Sequence, residues 1–164
     1  MAAFADSPFA ALTIIVAPAI LTNAASILSL GTGNRIARVI DRTRVLAAGL
    51  AAIDPGSPRA EAYREHMHRL RTRAHLLLRA LRCFYASIGA FAAAALISVV
   101  GSVVATSVSD PIFQVVAMLG LVAGTIGVGG LVVGGVVMVR ETQLAVLFLE
   151  REAEFIRARE YPPL

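Results

Sequence analysis

Three long stretches of this chain contain no charged side chain. They cover residues 7–34, 83–109 and 111–139. About 20 consecutive apolar residues are enough for a helix to cross the hydrocarbon core of a bilayer, and each stretch is longer than that. A backbone surrounded by lipid must satisfy its own hydrogen bonds, so each stretch is predicted to be a transmembrane helix. The predicted spans are about 8–33, 84–109 and 111–139.

Prolines and polar residues mark where the helices are predicted to begin. Ser7-Pro8, Ser57-Pro58 and Asp110-Pro111 each place a side-chain oxygen at an N-cap and a proline at the first helical position, where the missing N–H costs nothing. Asp54-Pro55-Gly56 is typical of a turn, and Gly31-Thr32-Gly33 marks the place where the first helix would break. The sequence therefore predicts one helical hairpin between the first and second spans and a tighter one between the second and third.

These elements predict an all-α membrane protein. Hydrophobic residues make up 57% of the chain and the mean hydropathy is +0.75, whereas soluble domains are about 45–50% apolar. Residues 1–164 are expected to form a single membrane domain with three transmembrane helices, a cytoplasmic helical hairpin and a C-terminal helix. The hairpin, at about 34–82, and the C-terminal helix, at about 140–160, would form a cytoplasmic helical stalk.

The positive charge is concentrated between the first and second spans. Eleven of the fifteen basic residues lie there, all of them arginines. Cytoplasmic connections carry an excess of Lys and Arg, so this connection is predicted to be cytoplasmic. The N-terminus would then lie outside and the C-terminus in the cytoplasm, in a multi-pass protein of the inner (plasma) membrane. The first span has no preceding basic residue and is too long for the apolar region of a signal peptide, so it is expected to be retained.

The predicted cytoplasmic helices are amphipathic with a basic edge. In the first, Arg35, Arg38 and Arg42 share one edge beside Asp41. In the second, arginines and histidines follow one flank of the helix: Arg64, His68, Arg71, His75, Arg79 and Arg82. Such arginines set topology and contact anionic lipid headgroups, or they form a specific site for an anion or a protein partner. Neither metal binding nor nucleic-acid binding is expected, because the histidines stand among cations and no broad basic surface lies free of the membrane.

Small and polar residues give the spans their individual character. The first span has a polar side: Thr22, Asn23, Ser26 and Ser29. The third span has a glycine face, which is predicted to pack closely against another helix: Gly120, Gly124, Gly127, Gly130 and Gly134. Asn23 differs from the hydroxyls, because a primary amide at membrane depth needs a partner across a helix interface or in water. No acid or base lies within a span, which argues against proton-coupled transport.

One segment carries a family resemblance. Residues 34–44 read Asn-Arg-Ile-Ala-Arg-Val-Ile-Asp-Arg-Thr-Arg, after a span with Ala17-Pro18-Ala19 and before the Arg-rich segment 73–79 and Arg140-Glu141. This arrangement resembles the bacterial membrane family labelled domain of unknown function 2721, whose pattern is a span, an N-R-x-A-R-V-x-D-R-x-R helix and two further spans. The family has no established activity, so the resemblance implies no catalytic residues. It implies only a signature segment: Asn34, Arg35, Arg38, Asp41, Arg42 and Arg44. Pairing of Asp41 with Arg38 or Arg44 would lock this helix.

Two classes of function fit these features. The first is a homo-oligomeric ion channel or pore, in which Thr22, Asn23, Ser26 and Ser29 face a hydrated axis above a basic cytoplasmic vestibule. The second is a structural or regulatory membrane scaffold, whose Arg-rich cytoplasmic helices bind anionic lipid or a protein partner. No nucleophile with a base, pair of acids or metal-binding set is recognisable, so neither an enzymatic activity nor a cofactor is expected.

Overall fold

In the residues it describes, the computed structural model is helical except for the turn at residues 52–57. The backbone is described for residues 8–104 and 110–160, and side chains for 16–102 and 111–148. Three helices occupy these ranges: α1 (Pro8–Ala51), α2 (Pro58–Val104) and α3 (Asp110–Glu160). The described residues contain no strand, so the predicted all-α fold class is confirmed.

The turn between α1 and α2 is capped as its sequence predicts. α2 begins at Pro58, and the Ala60 N–H donates to the Ser57 hydroxyl oxygen at 3.2 Å. Ser57 in turn donates its hydroxyl to the Asp54 carbonyl at 2.9 Å. Ser57 is therefore the N-cap of α2. Ser7, the corresponding residue before α1, lies outside the described residues.

The expected break at Gly31-Thr32-Gly33 is wrong, because α1 continues through it to Ala51. No glycine in the described ranges has a positive φ, so the two glycines keep ordinary helical geometry. Thr32 between them is fully buried and donates its hydroxyl to the Met138 sulfur at 3.6 Å. Tertiary contact at Thr32 favours the continuous helix and works against the roughly 1 kcal/mol that each glycine costs in a helix.

All three helices are long and apolar enough to cross a membrane, as the pattern predicted. Their apolar surface is largely uncovered: only 6% of the most apolar window of α3 is buried inside the chain. Many large apolar side chains on it are exposed, including Leu121 and Met118. Exposed apolar area on this scale marks a surface that lipid or another protein covers.

The helices contribute to two compact units. The first, the span unit, contains residues 8–31, 81–104 and 110–134. Its best-buried large side chains are Phe84 and Phe91 of α2, which lie over Gly134 and Gly127 of α3. The absence of a Cβ at these glycines lets the aromatic rings reach the α3 backbone. Because lipid tails are as apolar as the side chains, van der Waals contact of this kind contributes to holding α2 against α3 in the span unit.

The second, the arginine unit, contains residues 32–80 and 135–160. Its core is small and aliphatic, with Val39, Leu70 and Leu77 buried. Partly buried neighbours complete it: Ile36, Leu46, Ala74 and Met138. These side chains come from α1, α2 and α3, so all three helices meet in this unit.

Candidate functional site

The polar side of the first span is divided by its surroundings. Ser29 is buried and Thr22 half-buried, whereas Asn23 and Ser26 are exposed. The three hydroxyls each donate to a carbonyl four residues earlier: Thr22 to Pro18 at 2.8 Å, Ser26 to Thr22 at 2.8 Å and Ser29 to Ala25 at 2.9 Å. These hydroxyls are therefore satisfied within α1.

Asn23 is the exception among these four residues. Its side chain is exposed and has no hydrogen-bond partner in the described part of the chain. The buried side of α1 in the span unit is formed instead by Ala25 and Ser29. An amide within the apolar stretch of α1 is thus presented on a surface that its own unit leaves open.

The glycine face of α3 makes contact within the chain at most of its positions. A Cβ at Gly120 would lie 3.4 Å from Ile97, whereas Gly127 and Gly134 face the rings of Phe91 and Phe84. At Gly130 a Cβ would meet the Ser87 hydroxyl and the Cys83 carbonyl oxygen, the latter at 3.2 Å. Gly124 has no such neighbour within 4 Å, so a packing role for it stays a prediction.

The arginine unit contains an open groove of about 340 Å³. We call it the arginine groove, and six residues line it: Arg35, Arg38, Val39, Arg42, Leu70 and Arg73. α1 contributes three of its arginines at helical spacings of three and four residues, and α2 contributes the fourth. Val39 and Leu70 belong to the buried core, so the groove has an apolar floor beneath a cationic wall.

One buried carboxylate holds two of these arginines. Glu141 of α3 is 1% exposed, and its Oε1 accepts a hydrogen bond from Arg73 Nε at 2.8 Å and lies 2.8 Å from Arg73 Nη2. Its Oε2 accepts from Arg35 Nη1 at 3.3 Å, and the same Nη1 donates to the Thr142 hydroxyl at 3.2 Å. Arg35 of α1, Arg73 of α2 and Glu141 of α3 therefore form one charged cluster that ties three helices together.

The remaining predicted basic residues lie apart from the groove lining. Asp41 and Arg44 form an exposed pair at 3.6 Å, which is one of the two pairings anticipated for Asp41. Arg64 donates to the Pro55 carbonyl at 2.9 Å and so closes the α1–α2 turn. Three others are exposed on α2 and do not line the groove: His68, Arg71 and His75.

Sequence reasoning missed Arg73 and Glu141 as site residues. The signal for Glu141 was its spacing, because it follows Gly127 and Gly134 at intervals of seven and so continues the glycine face of α3. Arg73 likewise lies between Leu70 and Leu77 on the apolar stripe of α2. A charged side chain on a packing face is costly unless it is paired with an opposite charge, and Arg73 and Glu141 form such a pair.

No group of three or more His, Cys, Asp or Glu side chains suited to a metal ion occurs among the described residues.

Three membrane-length helices with an arginine groove define a multi-pass helical membrane protein. The family model described as Protein of unknown function (DUF2721) matches residues 15–151. The chain belongs to that family, as the 34–44 segment indicated. No curated protein and no solved structure matches the chain.

Proposed function

We propose that this protein acts as a homo-oligomer in the membrane and that the assembly forms an ion-conducting pore. The observation that carries the proposal is Asn23, an amide exposed on the span unit with no partner in the described part of its own chain. The family match supplies no activity, so the proposal rests on the physical chemistry of this face of α1.

An amide facing lipid is costly. Each unsatisfied polar group in the hydrocarbon region costs on the order of several kcal/mol, so Asn23 is stabilised by protein or by water. Thr22 and Ser26, which flank it, already donate to carbonyls of α1. A second copy that brings its own Asn23 supplies both a donor and an acceptor, and a ring of copies places the amides around a hydrated axis.

A non-conducting scaffold is the second candidate, and the internally bonded hydroxyls favour it. Thr22 and Ser29 use their donors on their own helix at 2.8 Å and 2.9 Å. Asn23 is then the polar group on this face of α1 that is left to bond between copies, and a dry helix interface is enough to satisfy it. Under this alternative the protein is structural or regulatory and passes no ions.

Asn23→Leu is expected to abolish ion flux while leaving the oligomer assembled. Leucine removes the amide that water and ions would contact but preserves an apolar surface for helix association. Flux is measured on purified protein reconstituted in liposomes under a salt gradient, and assembly by size-exclusion chromatography with light scattering. Ile27→Leu is the matched control, since Ile27 is exposed one turn further along α1 and carries no polar group.

The two candidates give opposite results in this assay. Loss of flux in Asn23→Leu with flux retained in Ile27→Leu supports the pore. Wild-type protein that passes no ions under any gradient, with an Asn23→Leu oligomer weakened by only about 0.6 kcal/mol, supports the scaffold. A wild-type protein that is monomeric in both detergent and lipid would remove the pore and leave only a scaffold that binds lipid or a protein partner.

We also propose that the N-terminus lies outside the cell membrane and the C-terminus inside, because the arginine-rich connection follows the positive-inside rule. Gly56 is exposed in the α1–α2 turn and offers a site for testing this. In a Cys83→Ser background, Gly56→Cys is expected to react with an impermeant thiol reagent only after permeabilisation. Ser107→Cys, whose position lies outside the described residues, is expected to react in intact cells. The reverse labelling pattern would show that the protein has the opposite orientation.

A further inference from the structure

We infer that the arginine groove is a binding site for a phosphate group, carried by an anionic phospholipid headgroup or by a soluble phosphate. Its cationic wall combines three arginines of α1 with Arg73 of α2. Its volume of about 340 Å³ lies at the lower end of the range that small-molecule sites occupy, roughly 300 to 1,000 Å³.

The charge balance of the groove leaves it in need of an anion. Four guanidinium groups line it, and the one carboxylate paired with them in the described ranges is Glu141, which leaves three positive charges in excess. Arg38 donates only to the Asn34 carbonyl, at 3.4 Å, and Arg42 has no carboxylate partner there. Arg38 and Arg42 stand four residues apart on one helix face, where like charges repel.

The stereochemistry of the lining favours phosphate over a simple halide. Guanidinium groups present their N–H donors in a planar fork that matches two oxygens of a phosphate. Glu141, which does not line the groove, holds Arg35 and Arg73 at 3.3 Å and 2.8 Å, so these two side chains lose little further freedom when an anion binds. Arg38 and Arg42 are exposed and supply the adaptable donors.

The position of these arginines along α1 points to the headgroup region of a membrane. Arg35 directly follows the uncharged stretch 7–34, and Arg38 and Arg42 come one and two turns later. At about 1.5 Å per residue they extend roughly 12 Å beyond the end of that stretch, which reaches through a headgroup layer. The apolar floor of Val39 and Leu70 suits a ligand whose phosphate is joined to an apolar part.

The test compares two double variants of equal charge. Arg38→Gln with Arg42→Gln removes the two arginines that lack a carboxylate partner, and Arg71→Gln with Arg79→Gln removes two exposed arginines outside the groove. Purified full-length protein in a neutral detergent is titrated with short-chain phosphatidylglycerol, short-chain phosphatidylcholine and inorganic phosphate, and binding is followed by calorimetry. Circular dichroism confirms that each variant keeps its helix content.

Phosphatidylglycerol is expected to bind wild-type protein more tightly than phosphatidylcholine does. Affinity should fall at least about tenfold in the groove variant and less than about twofold in the control variant. Tight binding of phosphatidylglycerol without competition by inorganic phosphate identifies a lipid headgroup as the ligand, whereas equal affinity for inorganic phosphate identifies a soluble one. Equal losses in both variants, or no binding of any phosphate probe, would overturn the inference. The binding measurements do not depend on whether the protein conducts ions.

Discussion

Glu141→Gln is expected to destabilise the protein by about 2 to 3 kcal/mol. The substitution keeps the shape of the side chain but removes the negative charge that Arg35 and Arg73 share. The two guanidinium groups then repel each other beside a buried amide. Breaking a buried ion pair costs roughly 3 to 5 kcal/mol, and the estimate is lower here because Arg35 and Arg73 remain 43% and 30% exposed and can be rehydrated. Unfolding in a denaturant titration of detergent-solubilised protein measures the change.

Asp41→Asn is the matched control for Glu141→Gln. It also removes one carboxylate paired with arginine, but Asp41 and Arg44 are 71% and 78% exposed. Exposed pairs contribute about 0 to 1 kcal/mol, so this variant is expected to unfold almost as wild type does. Equal stability of the Glu141 and Asp41 variants would show that the buried cluster does not hold the three helices together. A large effect confined to Glu141→Gln would place the tie between α1, α2 and α3 in this cluster.

The helices and their membrane character could be read from sequence because they depend on local pattern. Runs without charge predicted the spans, and Ser57-Pro58 predicted the start of α2 that the Ser57 cap now explains. The prediction failed at Gly31-Thr32-Gly33, where local propensity favours a break. Burial of Thr32 is a tertiary effect, and helix propensity alone does not contain it.

The candidate site was predictable only in part. Some of its charged residues were interpreted by the sign of their charge alone and not by the helix face on which they lie. Arg35, Arg38 and Arg42 were identified as one basic edge, and all three line the groove. Arg73 is one of the eleven arginines between the first two spans, and Glu141 belongs to the Arg140-Glu141 pair that is part of the family resemblance. Their positions on the packing stripes of α2 and α3 required them to be paired, but which partner each would find depended on how the helices meet.

In the first span the residues were grouped by face, but which face is buried could not be predicted. Its polar residues were recognised as a set, and the structure separates buried Ser29 from exposed Asn23. Helical spacing groups residues by direction, but it does not say which direction faces a neighbour. A single chain cannot provide that information for the surface that carries Asn23, because the occupant of that surface is supplied by the membrane or by another copy.

Gly130→Leu is expected to separate α2 from α3 and to cost about 3 kcal/mol or more, at the upper end of what overpacking a core costs. The added side chain would meet the Ser87 hydroxyl and the Cys83 carbonyl oxygen, which lies 3.2 Å from the Cβ position. Ser87 already donates to that carbonyl at 2.9 Å, so both groups are held in place on α2. The carbonyl belongs to the backbone and moves only if the helix moves. Thermal unfolding in detergent, followed by circular dichroism, measures the loss.

Gly129→Leu is the control, because Gly129 is the preceding residue of α3 and has nothing within 4 Å of a Cβ. Leucine there faces outward and is expected to leave stability unchanged or slightly raised, since glycine is the weaker helix former by about 1 kcal/mol.

Gly124→Leu separates contacts within the chain from contacts between copies. Gly124 also has open space around it, so loss of the oligomer with a stable fold would place Gly124 at an interface between protomers. Equal unfolding midpoints for the Gly129 and Gly130 variants would show that the α2–α3 contact at Ser87 tolerates a bulky side chain, and close packing at Gly130 would then not be what joins the two helices.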